Sequence, residues 1–448
     1  MPLMITWVLN AVYALLLIVV SPLLVYRRVV HGKYRSGWQE KLTGRLTRKH
    51  PERPCVWFHA VSVGEVLQLQ NVLDETAARF PNAEILVTTT TDTGYEVAKI
   101  KYPQTTVSYF PLDFSWSVNR ALDAIRPNLV VLVELELWPN FIFAAHQRGI
   151  ALALINGRIG EKSFRGYSRV KRLTSRVLLC FDILAVQNEV YAERLRRLGA
   201  PVERVKVTGN IKFDSLESDP ANPHSRELRR VFGLAPEDPV FIAGSTQDPE
   251  EVYAIDTWSA LQAEFPNLRL ILVPRHKERF EAVASLIRKR DLPLLRRSQT
   301  LEQNADDLQQ KSQTSKPILL LDTLGELAAC WCLADIAFVG GSLTKRGGQN
   351  MLEPSGCGVP VLFGPNTWNF QEITVSLLSL KAACVVSGPA ELTAVVRSLL
   401  LNPAEAKRMG AVARHFVSSQ RGATKRTVDL LMFTLLASSC SGENSQVA

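Results

Sequence analysis

Short apolar runs alternate with amphipathic stretches along most of the chain, and this alternation predicts its secondary structure. In the first half, the predicted strands are 55–59, 85–90, 107–110, 129–134, 151–155, 183–186 and 205–208. Helices are predicted between most of them, near 65–79, 116–125, 140–148 and 188–198. Strands that are apolar throughout and alternate with helices indicate a parallel sheet that is buried on both faces.

A second half repeats this pattern after the polar stretch 215–226, which has two prolines and no periodicity and is predicted to be a linker. Its predicted strands are 240–244, 268–273, 317–321, 336–339, 359–363 and 383–386. Residues 298–316 are predicted to be a surface insertion, and 437–448 a frayed polar tail. Two α/β halves joined by a linker form a cleft, so we expect the ligand there.

The amino terminus has the pattern of a membrane anchor. Residues 4–25 carry no charged side chain over about the length that a bilayer requires. In a cleaved signal peptide the positive residues precede the apolar run. Here they follow it, at Arg27, Arg28, Lys33 and Arg35. By the positive-inside rule this flank and everything after it stay in the cytoplasm, and whether the anchor spans the bilayer or enters from one side is left open.

Composition and charge narrow the class of protein. A chain of 448 residues exceeds what one hydrophobic core usually serves, and 46% apolar with 21% charged residues exclude a disordered protein. The net charge of +9, with one basic cluster between Arg158 and Arg176, suits an anionic partner. Nucleic acid is not expected, because neither interleaved aromatic residues nor a recognition-helix pattern accompanies the basic residues. Seven cysteines without paired spacing favour free thiols over a metal or disulfide framework.

The first candidate for chemistry is Glu65, in the segment HAVSVGE at 59–65 directly after a predicted strand. The carboxyl ends of strands border the crevice of an open α/β sheet, so this loop is expected to face it. In the first turn of a helix, Glu65 either only complements the helix dipole or acts as a base. The dipole is expected to lower its pKa, which leaves an ionised but weak base that serves when proton transfer comes late.

Three further candidates follow other predicted strands. Glu134 and Glu136 come at the end of 129–134 and point the same way if the strand continues. An electrostatic or acceptor-binding role is preferred for them, with a structural ion pair as the alternative. A divalent cation is not expected, because no further ligand pattern supports one and no D-x-D motif is present. Lys212, in GNIKFD, is either placed to meet a phosphate or an ordinary surface residue.

Four loops at strand ends in the second half carry small or anion-binding residues. They are Gly244-Ser245-Thr246, Pro274-Arg275-His276, Leu324-Gly325-Glu326, and the glycine-rich run 340–354 with Gly348, Asn350, Met351, Leu352 and Glu353. Backbone amides at the start of a helix bind anions, and an arginine at a strand end can bind phosphate or carboxylate. These loops therefore predict a nucleotide-type site, with Glu353 as a candidate for ribose hydroxyls.

The order and spacing of these motifs resemble those of the 3-deoxy-D-manno-octulosonic acid (Kdo) transferases. The motifs are HAVSVGE, VELELWPN, GNIKFD, ILVPRH, LGE, FVGGS and GGQNMLEP, and the likeness covers nearly the whole chain with its membrane segment. The family, glycosyltransferase family 30, is inverting and has the GT-B fold, in which two Rossmann-like domains face a central cleft. Family members often have His where Gln349 stands, which puts one polar contact near the nucleotide in doubt.

This resemblance implies transfer of Kdo from CMP-Kdo to the lipid A precursor in lipopolysaccharide biosynthesis, with no cofactor or metal. It implies a place at the cytoplasmic side of the cell inner membrane, where membrane lipids are further partners. Glu65 corresponds to the base that deprotonates the acceptor hydroxyl, and Glu134 and Lys212 to residues that stabilise the transition state. The CMP-binding segments correspond to Pro274-Arg275, Leu324-Gly325-Glu326 and Asn350-Met351-Leu352-Glu353, beside which Ser245 and Gly348 complete the predicted nucleotide-sugar site.

Four segments are thus expected: an anchor at 1–27, an acceptor-binding domain at 28–218, a CMP-sugar-binding domain at 219–436 and a tail at 437–448. Two alternatives stay open. One is another GT-B nucleotide-sugar enzyme, either a different transferase or a 2-epimerase, and the other is a catalytically inactive membrane-bound relative. The number of Kdo residues transferred, the acyl-chain preference and the oligomeric state are not determined by these residues.

Overall fold

The computed structural model describes residues 3–31, 36–216, 219, 222–300 and 316–443. The chain divides into two compact units, one of Met1–Ser215 with Gln420–Ala448 and the other of Leu216–Ser419. Each unit has a seven-stranded sheet of its own, with a hydrophobic core on either face of that sheet. The prediction of two α/β domains with buried sheets is confirmed.

The first unit is built on a parallel sheet. Its strands are β1 (Cys55–His59), β2 (Glu84–Thr89), β3 (Thr106–Tyr109), β4 (Leu129–Val133), β5 (Ala151–Gly157), β6 (Ile183–Val186) and β7 (Val205–Val207). They lie in the order β3-β2-β1-β4-β5-β6-β7, and every pair is parallel. Strands β1, β2, β4, β5 and β6 are buried along their whole length, which is why most of their residues are apolar.

Helices cover both faces of this sheet. They are α1 (Leu3–His31), α2 (Trp38–Thr43), α3 (Val63–Gln68), α4 (Gln70–Arg79), α5 (Asp92–Lys101), α6 (Ser115–Ile125), α7 (Pro139–Gln147), α8 (Glu161–Arg169), α9 (Lys171–Leu178) and α10 (Glu189–Arg197). Among the described residues, α1 is the one helix whose length and composition suit a membrane crossing. Its side chains at Trp7, Leu15, Ile18 and Val19 are largely exposed. Lys33 and Arg35, which belong to the predicted basic flank, lie outside the described residues.

The second unit repeats the plan. Its strands are β8 (Val240–Thr246), β9 (Arg269–Pro274), β10 (Leu294–Arg296), β11 (Ile318–Leu320), β12 (Ile336–Val339), β13 (Val361–Phe363) and β14 (Ala383–Val385). The order is β10-β11-β9-β8-β12-β13-β14, again with parallel pairs. Strand β10 was not predicted, because three half-buried residues at a sheet edge leave no periodic signal.

The helices of the second unit lie between these strands and after β14. They are α11 (Pro223–Val231), α12 (Glu250–Leu261), α13 (Phe280–Arg288), α14 (Arg297–Thr300), α15 (Leu327–Trp331), α16 (Leu352–Cys357), α17 (Gln371–Ser379), α18 (Pro389–Leu401) and α19 (Pro403–Ser419). Helix α11 begins inside the predicted linker, so the change of unit after Ser215 is sharper than the sequence suggested. Most of the predicted insertion, 301–315, lies outside the described residues.

The last helix, α20 (Ala423–Glu443), belongs to the first unit. The sequence analysis had assigned residues as far as 436 to the second domain. Val428 and Leu431 join the core of the first sheet, and the Asp214 side chain accepts hydrogen bonds from the backbone N–H groups of Gly422 and Thr424 (2.6 and 2.5 Å). The helix also continues through Glu443 into the predicted tail, whose residues 444–448 are not described. An apolar stripe marks a helix as packed, but it does not say which sheet it covers.

The cysteines also differ from expectation. Cys332 and Cys357 form a disulfide with their Cα atoms 5.0 Å apart, so the expectation of free thiols is wrong for this pair. The two residues are 25 positions apart, and only the packing of α15 against α16 brings them together. The free cysteines of the described chain are Cys55, Cys180, Cys330 and Cys384.

Candidate functional site

Glu65 lies at the carboxyl end of β1, in the first turn of α3. Ser62 caps this helix, and its hydroxyl donates to Glu65 Oε1 (2.7 Å), while the backbone N–H of Val61 donates to Oε2 (2.8 Å). A cap residue and a glutamate three positions later commonly hold each other in this way. The carboxylate is therefore fixed in one orientation at the edge of the sheet.

The environment of Glu65 reverses one expectation. Its side chain is only 9% exposed, and this burial raises the pKa of the carboxyl above its ordinary value. The hydrogen bonds from Ser62 and Val61 oppose the rise, and the charge of Glu134 adds to it. The helix dipole was expected to lower the pKa, but loss of water around a buried carboxylate outweighs it. Glu65 is thus a stronger base than the sequence suggested.

The two carboxylates after β4 are not arranged as a continued strand. The strand ends at Val133, and Glu134 takes a left-handed backbone conformation with φ of 61°, held by its N–H donating to the Ile155 carbonyl (2.9 Å). This conformation is uncommon for a residue other than glycine and often marks functional sites. The pKa of Glu136 is raised to about 7, mainly by burial and then by the charges of Glu65 and Glu134. The sequence had preferred an electrostatic role for this pair without separating the two.

Lys212 lies in a short 3-10 turn, Ile211–Phe213, after β7. Its pKa is lowered, first by burial and also by the charge of Arg158, while the carboxylates of Glu134 and Glu65 oppose this shift. Lys212 is half-buried and lies within the influence of two carboxylates, which does not fit an ordinary surface residue.

A row of side-chain amides joins the Lys212 turn to the Glu65 helix. The Lys212 N–H donates to the Asn210 side chain (3.0 Å), and Asn210 donates to Gln187 Oε1 (3.2 Å). Gln187 in turn donates to the Asn156 carbonyl (3.0 Å), and the Asn156 amide to Gln68 Oε1 (3.2 Å).

This row ends on α3, where the Gln68 amide donates to the Gly64 carbonyl (2.9 Å). The fully buried Asn156 also accepts from the Ile211 N–H (3.2 Å). These amides stand at the ends of β5, β6 and β7, and the sequence analysis missed them. Their signal was a polar residue directly after an apolar strand, the same signal that had singled out Glu65 and Glu134.

The three predicted catalytic residues therefore come together in the first unit. Glu65, Glu134 and Lys212 follow β1, β4 and β7, and Glu134 affects the pKa of both of the other two. A buried base with a raised pKa, next to a second carboxylate and an ammonium group, is an arrangement typical of acid–base chemistry. Within the described ranges, no group of three or more His, Cys, Asp or Glu side chains is arranged to hold a metal ion.

The predicted nucleotide-sugar residues also share one sheet edge, in the second unit. Their four loops follow β8, β9, β11 and β12, and these strands are consecutive in the sheet order β11-β9-β8-β12. Ser245, at the end of β8, is nearly buried and has a left-handed φ of 54°. Pro274 ends β9, and the exposed Arg275 that follows donates its N–H to the Thr246 carbonyl (3.0 Å).

The glycine-rich loop after β12 already binds a carboxylate of the protein itself. Glu250, fully buried at the start of α12, accepts hydrogen bonds from the N–H groups of Gly341 (2.7 Å), Ser342 (3.0 Å) and Leu343 (2.9 Å). At Gly340 a Cβ atom would lie 2.8 Å from this carboxylate and 2.5 Å from the Thr246 backbone, so only glycine fits. These amides were expected to face a phosphate, and instead an internal anion occupies them.

The LGE segment, 324–326, divides into an exposed and a buried part. Leu324 is 72% exposed, and Gly325 has a left-handed φ of 88° with open space around it. The Glu326 carboxylate is bound by the buried Arg297 (2.9 Å) and by His224 (3.1 Å). Burial pushes the pKa of Glu326 upward, but these hydrogen bonds and the arginine charge outweigh it, so the pKa lies below its usual value. The Glu326 side chain thus anchors the loop, whose exposed backbone is at Leu324 and Gly325.

The last predicted segment, 350–353, also has buried residues and partly exposed ones. Met351 and Leu352 are wholly buried, so contact with a ligand is left to the partly exposed Asn350 and Glu353. The Glu353 carboxylate accepts from the Asn350 amide (2.9 Å) and from the Trp331 indole N–H (3.2 Å). Burial raises the pKa of Glu353, and these hydrogen bonds and the charge of Arg275 oppose the rise.

Gly348, just before this segment, is required by its conformation. Its φ is 77°, and a Cβ atom would lie 2.9 Å from Met351 Cε. The next residue, Gln349, packs its side chain against Gly341 on the glycine-rich loop. The Gln349 amide therefore lies close to the loop that Glu250 holds.

Comparisons with known proteins agree with this architecture. The family model described as 3-Deoxy-D-manno-octulosonic-acid transferase (kdotransferase) matches residues 36–215. A 3-deoxy-D-manno-octulosonic acid transferase of Haemophilus influenzae is 33% identical over 94% of this chain and 97% of its own length. One of Bordetella pertussis is 31% identical over 94% and 98%.

Solved structures show the fold alone, at low sequence identity. UDP-GlcNAc 2-epimerase from Neisseria meningitidis, bound to UDP-GlcNAc, aligns with a TM-score of 0.56 at 13% identity, over 84% of this chain and 99% of that one. MurG from Acinetobacter baumannii aligns with a TM-score of 0.51 at 14% identity, over 85% and 99%. The two-sheet architecture is therefore the GT-B type that was expected. With relatives that match over almost their entire length, the chain belongs to the 3-deoxy-D-manno-octulosonic acid (Kdo) transferase family of glycosyltransferases.

Proposed function

We propose that this glycosyltransferase moves Kdo from CMP-Kdo to the lipid A precursor, with inversion at the anomeric carbon. The observation that carries the proposal is the group Glu65, Glu134 and Lys212 at the edge of the first sheet, in a chain related to Kdo transferases throughout its length. Burial makes Glu65 basic enough to accept a proton, and its two hydrogen bonds hold it in place.

In the proposed reaction the acceptor hydroxyl oxygen forms a bond to the anomeric carbon of Kdo. The bond from that carbon to the phosphate oxygen breaks, and its electron pair leaves with CMP. The hydroxyl proton passes to Glu65, which acts as general base on the face opposite the leaving group. CMP leaves as a phosphate anion, so the reaction needs no second carboxylic acid of the kind that glycoside hydrolases use.

In this scheme Lys212 and Glu134 have electrostatic roles. The charges of Glu134 and Glu65 both act on the pKa of Lys212, so its ammonium is close enough to both carboxylates to offset part of their mutual repulsion. As negative charge moves toward the departing phosphate, a fixed ammonium group stabilises it without reorganising. Glu134, held in its left-handed conformation, keeps the pKa of Glu65 high.

The second unit is proposed to bind the donor. Arg275 is exposed at the end of β9 and close enough to Glu353 to affect its pKa, so a phosphate and a ribose have partners on two loops at the same edge of the sheet. The exposed backbone of Leu324 and Gly325 and the partly exposed Asn350 complete the site. Ser245 and Gly348 border it with small residues that allow close approach.

Helix α1 is proposed to anchor the enzyme in the inner membrane, with both units on the cytoplasmic side. Its exposed face carries Trp7, Leu15, Ile18 and Val19, which would be costly to leave in water. The basic residues that follow the apolar stretch, including Arg28, favour the cytoplasm. A lipid acceptor in the same membrane then meets the enzyme without leaving the bilayer.

The test is a transfer assay with CMP-Kdo and tetraacylated lipid A precursor in detergent, with wild type, Glu65→Gln and Glu203→Gln compared. Glu203 is an exposed glutamate of the same unit and serves as the matched control. Removal of a general base is expected to lower kcat about 10²–10⁴-fold. We expect this loss in Glu65→Gln, full activity in Glu203→Gln, and a product with inverted anomeric configuration by NMR.

Three results would separate the parts of the proposal. Thermal stabilisation of wild type by CMP without product formation would overturn the lipid A assignment and leave the donor in place. Stabilisation by UDP but not by CMP would favour the alternative of a UDP-sugar enzyme such as a 2-epimerase. Full activity in Glu65→Gln would remove Glu65 as the base.

A further inference from the structure

Helix α1 is fastened to the first unit by polar side chains. Asn10 is only 9% exposed, and its amide donates to Ser115 Oγ (2.8 Å) while its carbonyl accepts from the Ser115 N–H (3.0 Å) and from the Asn140 amide (3.2 Å). Asn140 also donates to the carbonyl of the buried Asp113 (2.6 Å). An anchor that served only as a tether would need none of these bonds. The start of α1 is therefore held against the domain that carries Glu65.

Two turns further on, α1 forms one wall of a cavity of about 170 Å³. We call it the α1 cavity, and its principal lining residues are Leu17, Trp38, Lys41, Phe110, Leu112 and Trp138. Its lining is almost wholly apolar, so water inside it would lack hydrogen-bond partners. In size it is comparable to an engineered apolar cavity of about 150 Å³ that admits benzene. A few methylene groups of an alkyl chain fit such a space.

The walls of the α1 cavity join the membrane segment to the catalytic loop. Leu17 belongs to the apolar stretch Thr6–Leu23, which is proposed to lie in the bilayer. Trp138 belongs to the loop after β4 that also carries Glu134 and Glu136. An alkyl chain that enters from the bilayer beside Leu17 therefore reaches the loop that carries Glu134. Binding of a bulk phospholipid at this place would not contribute to the reaction. Binding of the acceptor lipid would, because its hydroxyl group reacts at Glu65.

Lys41 adds one positive charge to the apolar wall. Its side chain is 7% exposed, and its ammonium lies 4.3 Å from the centroid of the Tyr109 ring and 3.8 Å from Asp92 Oδ1. The Asp92 contact is at the long end for an ion pair, and the cation also interacts with the face of the ring. A cation at the rim of an apolar cavity suits the polar root of an acyl chain, where an ester or amide carbonyl lies beside phosphorylated sugar.

We infer that the α1 cavity receives a segment of one acyl chain of the lipid acceptor and thereby aligns the acceptor hydroxyl with Glu65. The inference rests on the proposed function, because it names the part of the acceptor that this surface recognises. Binding energy from a part of the substrate that does not react is used to orient the part that does. Helix α1 is then a piece of the acceptor site as well as an anchor.

Kinetics of two matched variants test this. Leu17→Trp fills the cavity, and Leu15→Trp places the same bulk on the 63% exposed face of the same helix. Excluding about two methylene groups from an apolar site raises KM roughly tenfold. We expect this rise for tetraacylated precursor in Leu17→Trp together with a fall in kcat, because the chain also orients the hydroxyl, and neither change in Leu15→Trp. For a fully deacylated acceptor, KM is expected to be equal in all three proteins.

An unchanged KM in Leu17→Trp, or equal KM values of wild type for acylated and deacylated acceptor, would overturn the inference. Absence of transfer by wild type to either acceptor would instead count against the proposed function. Photo-crosslinking of wild type then still tests the cavity, since it needs no donor. A precursor with a diazirine in one acyl chain is expected to label peptides that contain Leu17 or Leu112, and unlabelled precursor is expected to compete.

The crosslinking experiment also identifies the source of the chain. Phosphatidylethanolamine at the same concentration is expected not to compete with the labelled precursor. Equal competition by this phospholipid would show that the cavity holds any bilayer lipid and would refute a site for the acceptor. Labelling confined to exposed positions such as Leu15 and Ile18 would refute the cavity as a binding site.

Discussion

Glu250 offers a prediction whose size follows from the structure. Its carboxylate accepts four backbone hydrogen bonds, two on each oxygen. Oε1 accepts from Ser342 and Leu343 (3.0 and 2.9 Å), and Oε2 accepts from Gly341 and Gln247 (2.7 and 2.9 Å). The substitution Glu250→Gln keeps the shape of the side chain but turns one oxygen into an NH₂ group. Whichever way the amide is oriented, two buried N–H groups then face a donor.

Each buried N–H left without an acceptor costs about 1–3 kcal/mol. Two of them lower the free energy of unfolding of the second unit by about 2–6 kcal/mol. For a domain of about 200 residues, 1 kcal/mol corresponds to roughly 2–4 °C in Tm, so a loss in the middle of that range lowers Tm by about 8–16 °C. Because the glycine-rich loop borders the proposed donor site, the affinity for CMP is expected to fall as well.

Differential scanning calorimetry of the full chain measures this loss, with Glu264→Gln as control. Glu264 is also a glutamate of the second unit, but it forms an exposed ion pair with Arg397 (2.6 Å). Exposed pairs contribute about 0.2–1 kcal/mol, so the control is expected to shift Tm by less than about 4 °C. If Glu250→Gln shifts Tm no more than Glu264→Gln, the idea that this carboxylate holds the loop is refuted.

Three further predictions concern pH and the donor. Glu134→Gln removes a charge that raises the Glu65 pKa, so the acid limb of the kcat/KM profile is expected to move to lower pH. Trp331→Phe removes a hydrogen bond to Glu353 and is expected to raise KM for CMP-Kdo roughly fivefold in steady-state assays. His59, fully buried with its pKa lowered to about 3, favours the native state above its unfolded pKa of about 6.5 and loses that contribution as pH falls toward 3. His59→Asn is therefore expected to flatten the dependence of unfolding free energy on pH between these values, measured by urea titration.

Each of these predictions has a contrary outcome. An acid limb that stays in place in Glu134→Gln would mean that the Glu65 pKa does not govern the profile. A change confined to kcat in Trp331→Phe would place Glu353 outside the donor site. An unaltered slope of stability with pH in His59→Asn would show that other groups control acid unfolding.

Much of the fold was determined locally by the sequence. Strands such as β1, β6 and β12 were predicted with the bounds that the structure has, because a strand buried on both faces is apolar at nearly every position. The positions of Glu65, Glu134 and Lys212 could be predicted for a related reason. Parallel strands bring their carboxyl ends to one edge, so polar residues directly after them share that edge.

What the sequence could not show depends on partners far along the chain. Glu250 accepts hydrogen bonds from the amides of the glycine-rich loop, the first of which lies 91 residues later in the chain. Neither segment contains a sequence signal that indicates this contact. Cys332 meets Cys357, and α20 covers the first sheet, for the same reason. Hydrophobic periodicity predicts that one face of an element is buried, but it does not identify the element that packs against this face.

Glu65, the candidate base, shows most clearly which properties the sequence determines and which the tertiary structure determines. From its own segment, Glu65 was expected to have a low pKa at the start of a helix. The tertiary structure surrounds it with buried residues and places Glu134 nearby, and these raise the pKa instead. The residue type and its place on the sheet edge were thus determined by the sequence. Its strength as a base was decided by the fold, because the solvation of a charge depends on every surface that excludes water from it.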